Sequence, residues 1–408
     1  MSYETVKPHH RNPANPLPFD VPMLLIVASL LVIGLLMVYS SSWDASMIID
    51  KPATYVFTRQ VMWVALGIAV AFVLSLFDYH KYEKLLVWIM MAILVLLMVV
   101  LVQSEVRFNS KRSLLNGSIQ PAEFAKFAIV IYLAFWLNNH RDDLHELSNG
   151  LIPLAIIIGS VATLIILQPD ISAAGTIMIL GVLMFFLAGG SWKQLILIIF
   201  TFAIFAVIAF SISSTAQLRM QQYISGLQNP VEGSYHVRRT FEAIIKGGVF
   251  GVGLGKADTK FTGLPLPHTD SIFAVLTEET GLIGALVVII LYALLIWRGL
   301  TIAKKAPDRL GSLIAFGLTA WIVLEAFINI SVIVGLFPFA GNALPFISAG
   351  GSSMVASMAA IGITMNVARQ GVTHEAKERS QTSATVDLRG RDWRRGVPGA
   401  NRFGDFTK

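Results

Sequence analysis

Residues 264–284 read LPLPHTDSIFAVLTEETGLIG, which sets His268, Thr269 and Asp270 at the mouth of an apolar run and Glu278 and Glu279 about two turns further in. A carboxylate in that position can act as a general base, taking the proton from a hydroxyl that is otherwise a poor nucleophile. Thr269 and Asp270 are also ordinary helix caps, so the local pattern leaves both roles open. Glu123 and Lys126 sit three residues apart behind Pro121. They share one helical face and suit either an internal ion pair or an anionic ligand. Pro121 fits the first helical position, which makes Glu123 a first-turn carboxylate favoured by the helix dipole. Asp170, after Gln168 and Pro169, reads as a helix cap as readily as a ligand. Glu325 and Asn329 share a helix face, where a packing hydrogen bond explains them nearly as well as a functional role.

The elements that must hold these groups are apolar. Of 408 residues, 55% are hydrophobic and 14% charged, with a mean hydropathy of +0.68; a soluble chain carries roughly 25% charged residues. The deficit implies a protein that lies largely in lipid, where each charge in a span costs about 2.5–3.5 kcal/mol on insertion scales. Apolar runs at 21–39, 56–76, 85–103, 122–137, 151–167, 171–188, 195–212, 271–297, 313–334 and 344–367 predict an all-α integral membrane protein. The expected fold is a bundle of ten transmembrane helices with a large extracellular loop, 213–270, between the seventh and eighth. A polar leader (1–20) precedes this membrane domain (21–367), and a basic tail (368–408) is expected to be disordered and cytoplasmic.

Lys81, Lys84, Arg141, Lys193, Lys304, Lys305 and Arg309 fall in segments that become cytoplasmic if both termini are inside. The short outer loops hold only Lys51, Arg59, Arg107, Lys111 and Arg112, which supports that orientation. The long outer loop breaks the pattern with Arg219, Arg238, Arg239, Lys246, Lys256 and Lys260, and its charge suits an anionic ligand. Basic cytoplasmic loops explain the net charge of +6 better than nucleic acid does. With no cysteine, disulfides and thiolate metal sites are excluded. The glycines of GGVFGVGLG (247–255) miss both the phosphate-loop and the dinucleotide spacing. They are read instead as letting a re-entrant or interfacial loop approach its neighbours. His268 and Asp270 alone make no zinc ligand set.

Over residues 21–370 the chain resembles the SEDS (shape, elongation, division and sporulation) family, of FtsW and RodA type, leaning toward FtsW. The motifs that carry the resemblance are GLLMVYSSS (34–42), Arg59-Gln60, SIQPAEFAK (118–126), QPD (168–170), GGVFGVGLG with Lys260-Phe261, LPLPHTDSIFAVLTEE, and NISVIVGLFPFAGNALPFISAGGSS (329–353). Each is weak alone; their order and spacing make the match. Ser113, Ala122 and Leu266-Pro267 depart from the family pattern, which usually has Trp, Ser and Glu-Ala there.

The resemblance implies a peptidoglycan glycosyltransferase that polymerises lipid II at the outer face of the cytoplasmic membrane, with Asp270 as the essential carboxylate. It implies substrate-binding roles for Lys126, Glu123, Arg112, Gln120, His268, Lys260, Asp170 and Ser352. The implied partner is a class B penicillin-binding protein, a transpeptidase, with other division or elongation proteins. No cofactor is certain, and a divalent cation is an option. Two other classes stay open at this stage: a lipid II flippase, which also needs intramembrane ions, and a non-catalytic scaffold for the cross-linking enzyme.

Overall fold

The structure, a computed structural model, describes residues 19–48, 50–103, 119–229 and 233–392. The apolar runs form helices: α1 (Val21–Ser41), a short α2 (Trp43–Ile48), α3 (Tyr55–Leu76), α4 (Glu83–Gln103), α5 (Pro121–Asn139), α6 (Ile152–Leu167), α7 (Ile171–Leu187) and α8 (Trp192–Ile212). Next come α9 (Ser214–Gln228), α10 (Tyr235–Gly247), α11 (Ile272–Lys304), α12 (Arg309–Ile333) and α13 (Gly351–Asp392). The described residues contain no strand. Among the described residues, eight helices are long and apolar enough to cross a membrane. The other two expected spans, α6 and α7, have 16 and 17 residues, or about 25 Å of helix against a layer of about 30 Å.

Packing separates the middle of the bundle from its rim. The most apolar stretches of α5, α12 and α13 are 72%, 67% and 83% buried, whereas that of α8 is 17% buried. The exposed Ile196, Phe200, Ile204 and Val207 of α8 suit hydrocarbon rather than water. At the centre, α12 lies against α5, α11 and α13. Alanine, glycine and serine recur along α13, the composition that lets membrane helices approach closely.

In three places the chain departs from the expected pattern. First, 213–270 is not simply a loop, because it contains α9 and α10. Ser213 and Ser234 cap them by accepting from the backbone N–H groups of Ala216 and Val237, each at 3.3 Å. Their polar composition hid two amphipathic helices, and α10 packs on α11. Second, the tenth run is helical only from Gly351; residues 344–348 form a buried turn around Phe346 and Ile347, with Tyr292 of α11 donating to the Pro345 carbonyl. Pro345 and the glycines at 350 and 351 explain why that stretch is not helical despite its apolarity. Non-helical backbone at this depth is tolerated because protein surrounds it.

Third, α11 is broken at Gly281, whose φ of 70° and ψ of −169° are open to glycine and strained for other residues. A broken helix leaves orphan amides and carbonyls. The glycine loop satisfies them: Val252 and Gly253 donate to the carbonyls of Glu278 and Glu279 at 2.9 and 3.0 Å, and Leu282 and Ile283 donate to those of Gly248 and Val249 at 2.9 and 3.3 Å. This is the close approach expected of GGVFGVGLG. A Cβ at Gly251 (φ +79°) would collide with the Glu279 carbonyl. Gly251→Ala is therefore expected to lower the thermal unfolding midpoint of the purified protein by several degrees, more than Gly159→Ala, which meets open space within α6. Equal midpoints would remove the glycine loop from the account of α11.

Candidate active site

His268, Thr269 and Asp270 lie in the turns that lead into α11, and each gives its backbone carbonyl to a different donor. The His268 oxygen accepts from the Ala349 N–H at 2.9 Å. Ser348 Oγ donates to Thr269 at 2.7 Å, and Asn329 Nδ2 of α12 donates to Asp270 at 3.1 Å. The donors are themselves held. Gln60 of α3, 3% exposed, donates to the Ser348 carbonyl at 3.2 Å and accepts from the Gly350 N–H at 3.3 Å. Asn329 Nδ2 also donates to the Asn342 carbonyl at 2.6 Å. Three elements remote in sequence thus fix the backbone of the triplet, while Asp270 itself stays partly exposed.

One turn away from Asn329 along α12, Glu325 accepts from the ammonium of Lys126, which also donates to Glu123 Oε1 at 2.8 Å. The three side chains are 3%, 4% and 12% exposed respectively. Pro121 and Glu123 occupy the first turn of α5, as the spacing predicts. Gln120 is the residue before that helix, and its N–H donates to Ser352 Oγ at 2.8 Å, tying the start of α5 to the start of α13. Asp170 caps α7, accepting from the Ala173 N–H at 3.2 Å and from Ser172 Oγ at 2.9 Å. The far end of α7 meets Arg309 at the opposite end of α12. Asp170, Gln120, Glu123, Lys126, Ser352, His268 and Asp270 therefore all gather at one end of the bundle. Arg112 lies outside the described residues.

Lys260 is at that end too, but its ammonium is engaged. It donates to Glu279 Oε1 and Ser40 Oγ, both at 2.8 Å, and to the Gly255 carbonyl at 3.0 Å, with the Lys260 and Glu279 side chains 3% and 0% exposed. Glu278 accepts from the N–H groups of Asp258 and Thr259 at 3.0 and 3.3 Å, and from the Thr259 hydroxyl. The paired glutamates thus anchor the 248–260 loop to α11. Of the three acids in residues 264–284, Asp270 is the one that is not fully buried.

His236 of α10 was not picked out by any sequence pattern. Its Nε2 lies 2.9 Å from Ser271 Oγ, whose own hydrogen goes to the Pro265 carbonyl at 2.7 Å; His236 must therefore carry its proton on Nε2. Its ring packs on Phe339, and the Arg219 guanidinium lies over that Phe339 ring, 5.3 Å from its centroid. Burial, with help from Arg219, pushes His236 down to about 4, and burial alone pushes His268 down to about 4. A depressed histidine stays neutral in the fold while the unfolded chain takes up a proton. Stability is thus full above an ordinary pKa near 6.5 and is lost as pH falls from there toward 4. The thermal midpoint of the purified protein is expected to drop across that window and to drop less in His236→Asn. A pH-independent midpoint between 7 and 4.5 would contradict the neutral, buried state of both rings.

These features define the class: a multi-pass helical membrane protein that braces an acidic turn at one end of its bundle. The family model for FtsW, RodA and SpoVE, described as a cell cycle protein, matches residues 21–372, and the chain belongs to this family. Stage V sporulation protein E of Bacillus subtilis (strain 168) is 34% identical over 364 residues, which cover 86% of this chain and 97% of that one. A probable peptidoglycan glycosyltransferase FtsW of Trichlorobacter lovleyi is 33% identical over 367 residues, covering 88% and 95%. Among solved structures, RodA of Thermus thermophilus shares the fold with a TM-score of 0.65 at 24% identity, over 87% of this chain and 98% of that one. A chain from a study of the structural coordination of polymerization and crosslinking by a peptidoglycan synthase complex does so with a TM-score of 0.71 at 24% identity, over 87% and 99%.

Proposed function

We propose that this protein polymerises lipid II into glycan strands at the outer face of the cytoplasmic membrane, with Asp270 as the catalytic base. The observation that carries the reading is the bracing of residues 268–270: their three carbonyls are tied to the 348–349 turn and to Asn329 of α12, and they present one partly exposed carboxylate. The C4 hydroxyl of one sugar would give its proton to Asp270 while its oxygen bonds to the anomeric carbon of the next. The bond from that carbon to the lipid diphosphate breaks, and the diphosphate leaves with the electron pair. A carboxylate base of this kind contributes typically about 10²–10⁴-fold.

Negative charge on the leaving diphosphate needs positive groups nearby. Arg112 and the basic residues of 213–269 supply candidates, whereas Lys126 and Lys260 are already matched to carboxylates. Lys126 therefore serves this reaction as a positioning residue, holding α5 against α12 beneath Asn329. No group of three His, Asp or Glu side chains suited to a metal occurs among the described residues, and no step here passes through a cation. The family relation and the names of the relatives support pairing with a class B penicillin-binding protein, and the basic inner segments support cytoplasmic termini.

The test is strand synthesis from lipid II by the purified protein together with its transpeptidase partner, run beside a liposome assay for movement of labelled lipid II by this protein alone. Polymer formation that needs this chain supports the reading. Lipid movement without polymer would replace it with a transporter.

A further inference from the structure

At the end of the bundle opposite Asp270 lies a cavity of about 360 Å³ walled by Arg141, His145, Leu187, Ala188, Gly189 and Arg309. Arg309 begins α12, and Asn329 lies twenty residues along that helix, so the cavity is some 30 Å from the acidic turn at about 1.5 Å per residue. Two guanidinium groups and an imidazole thus share one space with no carboxylate on its wall. Arg309 Nη2 donates to the Ala188 carbonyl, while its Nη1 is buried with no partner. Neither arginine belongs to an ion pair among the described residues. The acids nearby are Asp142, next to Arg141, and Asp308. Asp308 is already engaged, by the Tyr79 hydroxyl at 2.9 Å, His80 Nε2 at 2.6 Å and the Gly311 N–H at 2.6 Å.

A buried guanidinium N–H without an acceptor is costly, and two adjacent like charges add repulsion, so the site is incomplete as it stands. Oxygens of a single phosphate group would satisfy both, since the guanidinium fork matches phosphate geometry. The depth of the cavity says which phosphate. Phe186 and Trp192 bracket its Leu187–Gly189 wall, with ring centroids 5.0 Å apart and with 40% and 68% exposure. Trp192, with an apolar body and an indole N–H, is a residue of the kind that settles at the level of lipid headgroups. We infer that this cavity binds the phosphate of an anionic phospholipid headgroup, in the leaflet opposite the one that Asp270 faces.

The experiment measures thermal unfolding of the full chain in phosphatidylcholine nanodiscs, with and without added phosphatidylglycerol, and in detergent with inorganic phosphate. The probe variant is Arg141→Gln, since Arg141 is exposed and in no ion pair among the described residues, and losing its repulsion of Arg309 should leave the midpoint in phosphatidylcholine no lower than that of the wild type. Lys193→Gln, an exposed cation near the same wall, is the comparison. Phosphatidylglycerol should raise the wild-type and Lys193→Gln midpoints, with apparent affinity about tenfold or more weaker in Arg141→Gln. A rise with phosphate alone that is lost in Arg141→Gln would keep the phosphate site and assign it to a soluble ligand. An equal response in all three proteins, or none to either probe, would overturn the inference.

Discussion

Asp270→Asn should lower strand synthesis from lipid II by about 10²–10⁴-fold while leaving the protein folded. The substitution keeps the size of the side chain and removes its capacity to take a proton. It also leaves the three carbonyl contacts of residues 268–270 intact, because those use the backbone. Thermal midpoint and membrane insertion should therefore match the wild type, which separates lost chemistry from lost structure. Asp270→Glu tests position rather than charge. One added methylene moves the carboxylate by more than 1 Å, and a misplacement of that size can remove about 10²-fold in rate. Polymerisation at wild-type rate by Asp270→Asn would end the assignment.

Lys126→Ala is expected to act mainly on stability. Its ammonium lies between Glu123 and Glu325, and removing it takes away the cation that both carboxylates share. Removing one partner from a buried ion pair costs roughly 3–5 kcal/mol. The loss should appear as a lower thermal midpoint and poorer yield, and any fall in turnover should follow from it. Adding Glu325→Gln to Lys126→Gln should recover part of the midpoint, because the most buried charge goes with its counter-charge. Were Lys126 instead a direct ligand of the diphosphate, its removal would weaken substrate binding at an unchanged midpoint, and the double substitution would recover nothing.

Both predictions rest on residues that the sequence singled out, but the sequence and the fold contributed differently. Glu123 behind Pro121 was legible as a first-turn carboxylate because capping is local, and the bond to Lys126 three residues on follows from helix geometry. The third member, Glu325, lies 199 residues from Lys126. Its role appears only when α5 and α12 pack. Lys260 reads in sequence as one more positive charge on a basic outer segment; the fold shows it bound to Glu279 and Ser40. His236 carried no signal, and Ser348 and Asn342 stood only as letters inside the 329–353 motif, since a histidine in an amphipathic helix and polar residues in a loop are ordinary until their partners are known.

What the sequence determined by itself was the solvent and the class of element. Long apolar runs with few charges can satisfy their backbones in lipid only as helices, and the motif order from GLLMVYSSS to GGSS placed the chain in its family. Periodicity and hydropathy report on each segment against its surroundings, so they could not show that α11 breaks at Gly281 or that 344–348 turns inside the bundle. Only the tertiary structure decided which of the acids became anchors and which remained accessible. A carboxylate's role depends on the donors that reach it, and for Glu278, Glu279 and Glu325 those donors arrive from distant parts of the chain.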